Sequence, residues 1–369
     1  MPSVELKGVS KRFREVLAVD DLDVSVEDEE YLCVLGPTGS GKSTLLRIIA
    51  GLVRPDSGAV LIDGSNVNDV PTEKRNTALM PQNYALFPHM TTWDNVAYGP
   101  KSRGEDPKSV ADRTRELLET VHLQDWGNAY PNQLSGGMQQ RVALIRALAS
   151  GAKTLLLDEP LGALDARLRL DLRGRLKKFA HEYCLTVIHV THDQSEAVSL
   201  GDRVLLLRHG RAEQVGSPGD MYFAPRTVFA ANFVGERAIL EGLVRGTREG
   251  TAELELAGGE RISARGGEFR EGELVVIAIR CESLDIGDSS GRGANRLRGR
   301  VKDVRPIGAY FRYSVELPGE ITIHPHVPSA LAIDSPFAPG SEVEVSFDEG
   351  DVVLYAYPPR GLAVEVEAF

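Results

Sequence analysis

Lys42 and Ser43 sit near the end of Gly36-Pro37-Thr38-Gly39-Ser40-Gly41-Lys42-Ser43-Thr44, which fits the pattern G-x-x-x-x-G-K-S/T at every fixed position. The residue types fit one chemistry. Three glycines let the backbone curl so that its N–H groups converge on the phosphate oxygens of a nucleotide. Lys42 adds positive charge over the β and γ phosphates, Ser43 offers a hydroxyl to a magnesium ion, and Thr44 stands beside it as a spare. Far along the chain, Thr154-Leu155-Leu156-Leu157 delivers two acids, Asp158 and Glu159. In a nucleotide site Asp158 can hold the magnesium ion and Glu159 can polarise the water that attacks the γ-phosphate. Neighbouring residues of a strand point in different directions, so two roles are expected. His192 ends the apolar run that starts at Thr186, where a neutral imidazole can contact a γ-phosphate and sense its loss. Gln82 follows Thr77-Ala78-Leu79-Met80-Pro81 and is placed to reach a metal or a water; on its own it reads equally as a surface-loop glutamine.

These groups need a parallel α/β sheet to hold them, because ligands gather at the carboxyl ends of its strands. Tyr31–Leu35 reads as a buried strand and Leu45–Ala50 as a helix, so the glycine-rich run lies where a helix N-terminus adds its dipole. Strands are also expected at residues 4–7, 17–19, 22–26 and 59–62, and a last one at 201–207. Residues 107–150 are helix-rich. From Ser109 to Leu123, Val110, Leu117, Leu118 and Val121 recur at helical spacing. Leu134-Ser135-Gly136-Gly137 then caps a helix over 138–148 and forms a second possible anion site. Leu161-Gly162-Ala163-Leu164-Asp165 opens a helix that runs to about His181. His189, in the middle of its strand, reads as a core histidine. Phe13, in a short link between strands, suits either the core or stacking on an adenine ring, and its position favours the core.

Around Gly235 the character changes. Short alternating strands at 251–256, 274–279, 311–317 and 342–347, split by Gly and Pro, predict a separate β domain built as a small barrel. The stretch from Gly287 to Gly293 reads as a loop of small residues. His324-Pro325-His326 has a spacing that suits a metal, but no third ligand is evident, so no metal is assigned there.

With 369 residues the chain is long enough for two domains. A net charge of −11 argues against a general nucleic-acid binder, and no nucleic-acid partner is expected. Cys33, Cys184 and Cys281 are too dispersed for metal or redox spacing, which points to reduced thiols in the cytosol. The N-terminus has no apolar signal region, and no apolar run is long enough to span a bilayer. Work at a membrane would require a partner to hold the chain there.

The order of these pieces resembles the ATPase subunit of an ATP-binding-cassette transporter over the whole chain. Leu134-Ser135-Gly136-Gly137 resembles that family's signature sequence and precedes Asp158-Glu159 as it does there. Gln82 falls at the family's Q-loop, Leu161 to Asp165 at its D-loop, and His192 at its switch histidine. Phe13 falls where the family stacks an aromatic on adenine, which reverses the preference for the core. The resemblance implies a P-loop NTPase (RecA-like) core over residues 1–235, with a helical subdomain at about 88–150, and an oligosaccharide-binding-like barrel over 236–369. It implies ATP and Mg2+ as cofactors and a head-to-tail homodimer. Each ATP would lie between the phosphate loop of one copy and Ser135-Gly136-Gly137 of the other, with Asp165 near that junction. Lys42, Gln82, Glu159 and His192 would serve catalysis, and Ser43, Gln82 and Asp158 the metal.

Integral-membrane permease subunits and, indirectly, an external solute-binding protein are the implied partners. The location would be the cytoplasmic face of the membrane. Tyr84 to Thr91 resembles the segment that touches the permease, with Phe87, Pro88 and Met90 as its apolar surface. Two residues depart from the pattern. Met138 stands where a polar residue is usual, which puts ATP affinity in question, and Gly162 replaces a serine, which removes a hydroxyl contact across the dimer. The C-terminal part looks like the accessory domain of importer ATPases, with Asn295–Val301 as its second repeat and Cys281 in place of a proline in an Arg-Pro-Glu stretch. For the solute, the expectation is tungstate or molybdate first, ferric iron second, and a polyamine or sugar as the alternative. A non-transport ATPase of the superfamily and a regulatory binding module are the readings from other classes.

Overall fold

The computed structural model describes residues 3–248, 250–287, 293–332 and 337–366. The chain forms two compact units, one closing at Ala224 and the other opening at Pro225.

The first unit is built on a six-stranded sheet in the order Arg211–Gly216, Arg203–Arg208, Tyr31–Leu35, Thr186–Val190, Thr154–Asp158, Thr77–Met80. All neighbours are parallel except the first pair. Every residue of Tyr31–Leu35, Thr154–Asp158 and Thr186–Val190 is buried, which is why these strands read as unbroken apolar runs. A second, antiparallel sheet runs Val16–Val26, Val4–Phe13, Ser57–Ile62, Ser65–Asn66. Helix Lys42–Ala50 joins the two. Its Leu45, Leu46, Ile48 and Ile49 form one cluster with Leu32, Leu156 and Ile188 of the parallel sheet and Val4, Leu6 and Val60 of the antiparallel one. Each such side chain contributes roughly 1.5–3 kcal/mol on burial, so the phosphate loop is anchored by the best-buried part of the unit.

Three helices, Thr92–Ser102, Pro107–Thr120 and Gly136–Ala149, make up the helical part, with Thr91, Asp106 and Ser135 accepting N-cap bonds. The second was expected at 109–123. It starts earlier because Pro107 fits the first turn beside the Asp106 cap, and it ends at Thr120, with His122 left-handed at φ 55°. Among the described residues no helix is long and apolar enough to cross a membrane.

The second unit is β-rich. One antiparallel sheet runs Arg261–Arg265, Thr251–Leu256, Arg237–Arg248, Leu274–Arg280, Val352–Ala356. The other runs Asp285–Gly287, Glu342–Phe347, Asn295–Pro306, Tyr310–Leu317, Ile321–Ile323, with His326–Pro328 also pairing with Tyr310–Leu317. Alternate residues of both sheets meet in one core that includes Leu240, Val244, Ile277, Val301, Tyr313 and Phe347. The small-residue loop from Gly287 to Gly293 lies, apart from its ends, outside the described residues.

Candidate nucleotide site

The loop from Gly36 to Gly41 is shaped by what its glycines must avoid. A Cβ at Gly36 would collide with the Leu207 carbonyl oxygen, and one at Gly41 with that of Ala18. Gly41 also takes φ 105°, which favours glycine. Lys42 folds back over the loop, its Nζ donating to the carbonyls of Gly36 at 2.8 Å and Pro37 at 2.7 Å. Burial pushes the ammonium below its ordinary pKa, against the pull of Glu159 and Asp158. The loop thus arranges N–H groups and one cation around an open cradle, with Thr38 and Gly39 exposed at its rim.

Asp158 ends its strand next to this cradle. Ser43 Oγ donates to Asp158 Oδ1 at 3.2 Å. Burial raises the Asp158 carboxyl above its usual range and Glu159 adds to this, while Ser43, Arg47 and Lys42 oppose it. A hydroxyl and a carboxylate side by side are hard oxygen donors. They fit a small divalent cation that keeps its other positions for water and phosphate oxygens.

Glu159 is left-handed at φ 51°, so the chain turns sharply off the strand end and frees the carboxylate from it. Gln82 Nε2 donates to Glu159 Oε2 at 3.2 Å, and His192 Nδ1 lies 3.3 Å from Glu159 Oε1. Three residues far apart in sequence therefore meet at one point. Gln82 is a site-facing side chain and not an idle loop glutamine.

Ser135 caps helix Gly136–Ala149, its Oγ accepting from Met138 N at 3.3 Å, and is itself exposed. Among the described residues no hydrogen bond or ion pair joins Ser135, Gly136 or Gly137 to residues 36–44. Asp165 caps helix Ala166–Glu182 through Leu168 N at 3.0 Å. Phe13 is 45% exposed at a strand end, with Lys11 Nζ 5.5 Å from its ring centre. The placement in the core that its position favours is therefore corrected: Phe13 is the last residue of its strand and pairs with Val16 across the exposed turn at Arg14 and Glu15.

Several contributors had no motif to reveal them. Gln140 is 1% exposed; its Nε2 donates to the Glu159 carbonyl at 2.9 Å and its Oε1 accepts from Ala163 N at 3.0 Å. Arg146 donates to the carbonyls of Ala85 at 2.7 Å and Tyr84 at 2.8 Å, and stands over the Phe87 ring. Asn95 accepts from Phe87 N and donates to the carbonyls of Phe87, Met90 and Thr91. The loop after Gln82 is held from both sides. Pro88 is exposed, while Phe87 and Met90 are half-buried.

A glycine-walled loop, a hydroxyl–carboxylate pair and a glutamate contacted by Gln82 and His192 fit the site of a P-loop ATPase. Residues 19–162 match the ABC transporter family and residues 277–354 the TOBE domain family. The chain belongs to the ABC transporter family, as an ATPase subunit that carries a TOBE domain and couples ATP hydrolysis to transport. It is 40% identical to the spermidine/putrescine import ATP-binding protein PotA of Nitrosospira multiformis, over 89% of this chain and 92% of that protein. It is also 40% identical to the sulfate/thiosulfate import ATP-binding protein CysA 2 of Chromobacterium violaceum, over 96% of this chain and 95% of that protein. Among solved structures, the dimeric post-hydrolysis state of the ATP-binding cassette MJ0796 with ADP and Pi superposes with a TM-score of 0.55 at 34% identity. It covers 58% of this chain and 98% of that chain.

Proposed function

We propose that this chain is the energy-coupling subunit of an importer and that the imported solute is a polyamine. The meeting of Gln82, Glu159 and His192 beside the Ser43–Asp158 pair carries the catalytic part of this reading. The N–H groups of Gly36–Thr44 and Lys42 hold the β and γ phosphates, and Phe13 offers an exposed ring to the adenine. Ser43 and Asp158, with Gln82 in reach, hold Mg2+, which neutralises phosphate charge when bound. Glu159 orients the attacking water and accepts its proton, so that ADP and phosphate are the products. In the present arrangement Gln82 and His192 contact one oxygen of Glu159 each, which leaves a lone pair on either oxygen for the attacking water. A second copy supplies Ser135, Gly136 and Gly137 to the γ-phosphate, with Asp165 nearby, and excludes water from the junction. Permease subunits receive the movement through residues 84–91, at the cytoplasmic face of the membrane.

The motifs of the sequence favour tungstate or molybdate first and ferric iron second. The relatives favour the polyamine alternative, since the PotA proteins of Nitrosospira multiformis and Thermobifida fusca are 40% and 39% identical to this chain. A sulfate-type oxyanion is the second reading, supported by the equal identity to CysA 2. Uptake of labelled spermidine, putrescine, sulfate, tungstate and ferric iron by cells carrying the parental chain or Glu159→Gln tests the proposal. Loss of spermidine or putrescine uptake alone is expected. Loss of sulfate or tungstate uptake, with polyamine uptake intact, would overturn the polyamine assignment.

A further inference from the structure

We propose that the β-rich unit holds a binding site for a divalent cation of the zinc class, formed by Glu236, Cys281 and His326. Backbone pairing brings the three together. Glu236 directly precedes strand Arg237–Arg248 and Cys281 directly follows Leu274–Arg280, and Arg237 pairs with Arg280 across that ladder. Cys281 N donates to the Glu236 carbonyl at 3.1 Å, so the two side chains leave the ladder end side by side. His326 enters from a third segment, where it pairs with Arg312. A carboxylate oxygen, the thiol sulfur and a ring nitrogen all lie within 4.8 Å of one another. Ligands at about 2.0–2.3 Å from a tetrahedral ion stand roughly 3.3–3.8 Å apart, so small side-chain shifts close this set around one.

Burial of two of its three donors separates this cluster from a solvated acidic patch, while Glu236 stays half exposed. Cys281 is 2% exposed and the His326 side chain 9%. His326 Nε2 is shielded from solvent and lies 2.9 Å from Glu236 Oε2, yet makes no hydrogen bond of acceptable angle. A buried ring nitrogen with no well-directed hydrogen bond needs an explanation, and an ion would supply a partner once this pair opens from 2.9 Å to ligand spacing. The Tyr310 ring stacks on the imidazole at 4.1 Å and fixes its plane. Sulfur, nitrogen and carboxylate donors suit zinc better than magnesium or calcium. Three protein ligands leave a fourth position for water or a solute.

Charge also balances. When the ion enters, the Cys281 proton leaves to solvent, and thiolate and carboxylate together neutralise a dication. Arg312 Nε, 3.8 Å from Glu236 Oε2, opposes this, as does Arg237, whose charge also reaches Cys281. The competing arrangement is a metal-free cluster of Arg312, Glu236 and His326 with Cys281 as packing. His324 is not among the converging donors, and its Nδ1 lies 3.3 Å from Ser314 Oγ. The His-Pro-His spacing is therefore not what builds the site.

Cobalt titration of the full chain, stripped by chelator, tests the proposal. The expected result is one cobalt per chain with a thiolate-to-cobalt charge-transfer band that zinc displaces. Cys281→Ser, nearly isosteric, should abolish the band, while Cys184→Ser in the other unit should leave it intact. Glu236→Gln and His326→Gln should each weaken zinc at least about tenfold, the low end even for disturbing an outer partner of a ligand. Retained far-UV circular dichroism and ATP hydrolysis show that a variant is folded. If His326→Gln or Glu236→Gln does not fold, Cys281→Ser decides alone. Absence of the band in the parental protein, or its survival in Cys281→Ser, overturns the site.

Discussion

Gln140 ties Glu159 to the turn that follows it, donating to the Glu159 carbonyl at 2.9 Å while accepting from the Ala163 N–H at 3.0 Å. Glu159 has a left-handed backbone, a conformation that costs about 1–3 kcal/mol and persists only where neighbours fix it. Gln140 is such a neighbour, and it belongs to the helix that Ser135 caps. Gln140→Ala would remove both of these bonds, leaving the Glu159 carbonyl with only the weaker one from Gly162 N at 3.3 Å. The expected loss of stability is about 2 kcal/mol or more, together with a fall in kcat of about tenfold for a misplaced catalytic group. Denaturant melts and phosphate release measure the two effects. A variant equal to the parent in both would show that Gln140 does not position Glu159.

Asp158 is expected to trade stability for metal binding. Burial raises its carboxyl, so the ionised form is disfavoured in the folded chain. A folded pKa above the unfolded one means that ionisation costs stability at any pH above the ordinary carboxylate range. Asp158→Asn should therefore raise Tm at neutral pH without nucleotide, while hydrolysis falls about 100-fold or more, the scale for losing one electrostatic anchor of a transition state. A lower Tm in the variant would contradict this account.

The loop that carries His192 rests on a buried acid. Thr191 Oγ1 donates to Glu196 Oε2 at 2.7 Å and accepts from Asp193 N at 3.0 Å, so Glu196 braces the residues on both sides of His192. Tyr31 and His189 complete the buried network, with Tyr31 Oη 2.8 Å from His189 Nδ1. Burial works to raise Glu196, but His189 and Thr191 outweigh it and hold the carboxyl below its usual range. Its stabilisation is thus full above the ordinary value of 4.5 and is lost as pH falls through the depressed one. Melting curves from neutral to acid pH should fall more steeply below that value in the parent than in Glu196→Gln. Parallel curves would show that Glu196 makes no such contribution.

Arg146 should separate hydrolysis from transport. Its guanidinium forks to the carbonyls of Ala85 and Tyr84, a geometry that lysine cannot reproduce. On the proposal that residues 84–91 dock on permease subunits, Arg146→Lys should leave basal ATP hydrolysis near the parental rate while uptake falls several-fold. Proteoliposomes containing the membrane partners report both. Equal loss of the two would place Arg146 in the ATPase itself.

The phosphate loop was legible in the sequence because its chemistry is local: glycines, Lys42 and Ser43 act within one turn. The strand that delivers Asp158 was legible because burial on both faces leaves an unbroken apolar run. Gln140, Arg146, Asn95 and Glu196 were not, since each acts on a segment that folding alone brings near. The same holds for Glu236 and Cys281, whose contact follows from the Arg237–Arg280 register. Position alone misplaces Phe13, because an aromatic beside a turn between two strands is as easily exposed as in a core. Solute identity was out of reach because nothing in the ATP site touches a solute, and relatives named for polyamines and for sulfate are equally similar.

Glu159→Gln, sized by gel filtration in MgATP alongside a phosphate-release assay, tests the central claim most directly. A MgATP-dependent dimer is expected, with hydrolysis lowered by about 100-fold or more for loss of a general base. A variant that hydrolyses ATP at the parental rate, or that elutes as a monomer in MgATP, would contradict it.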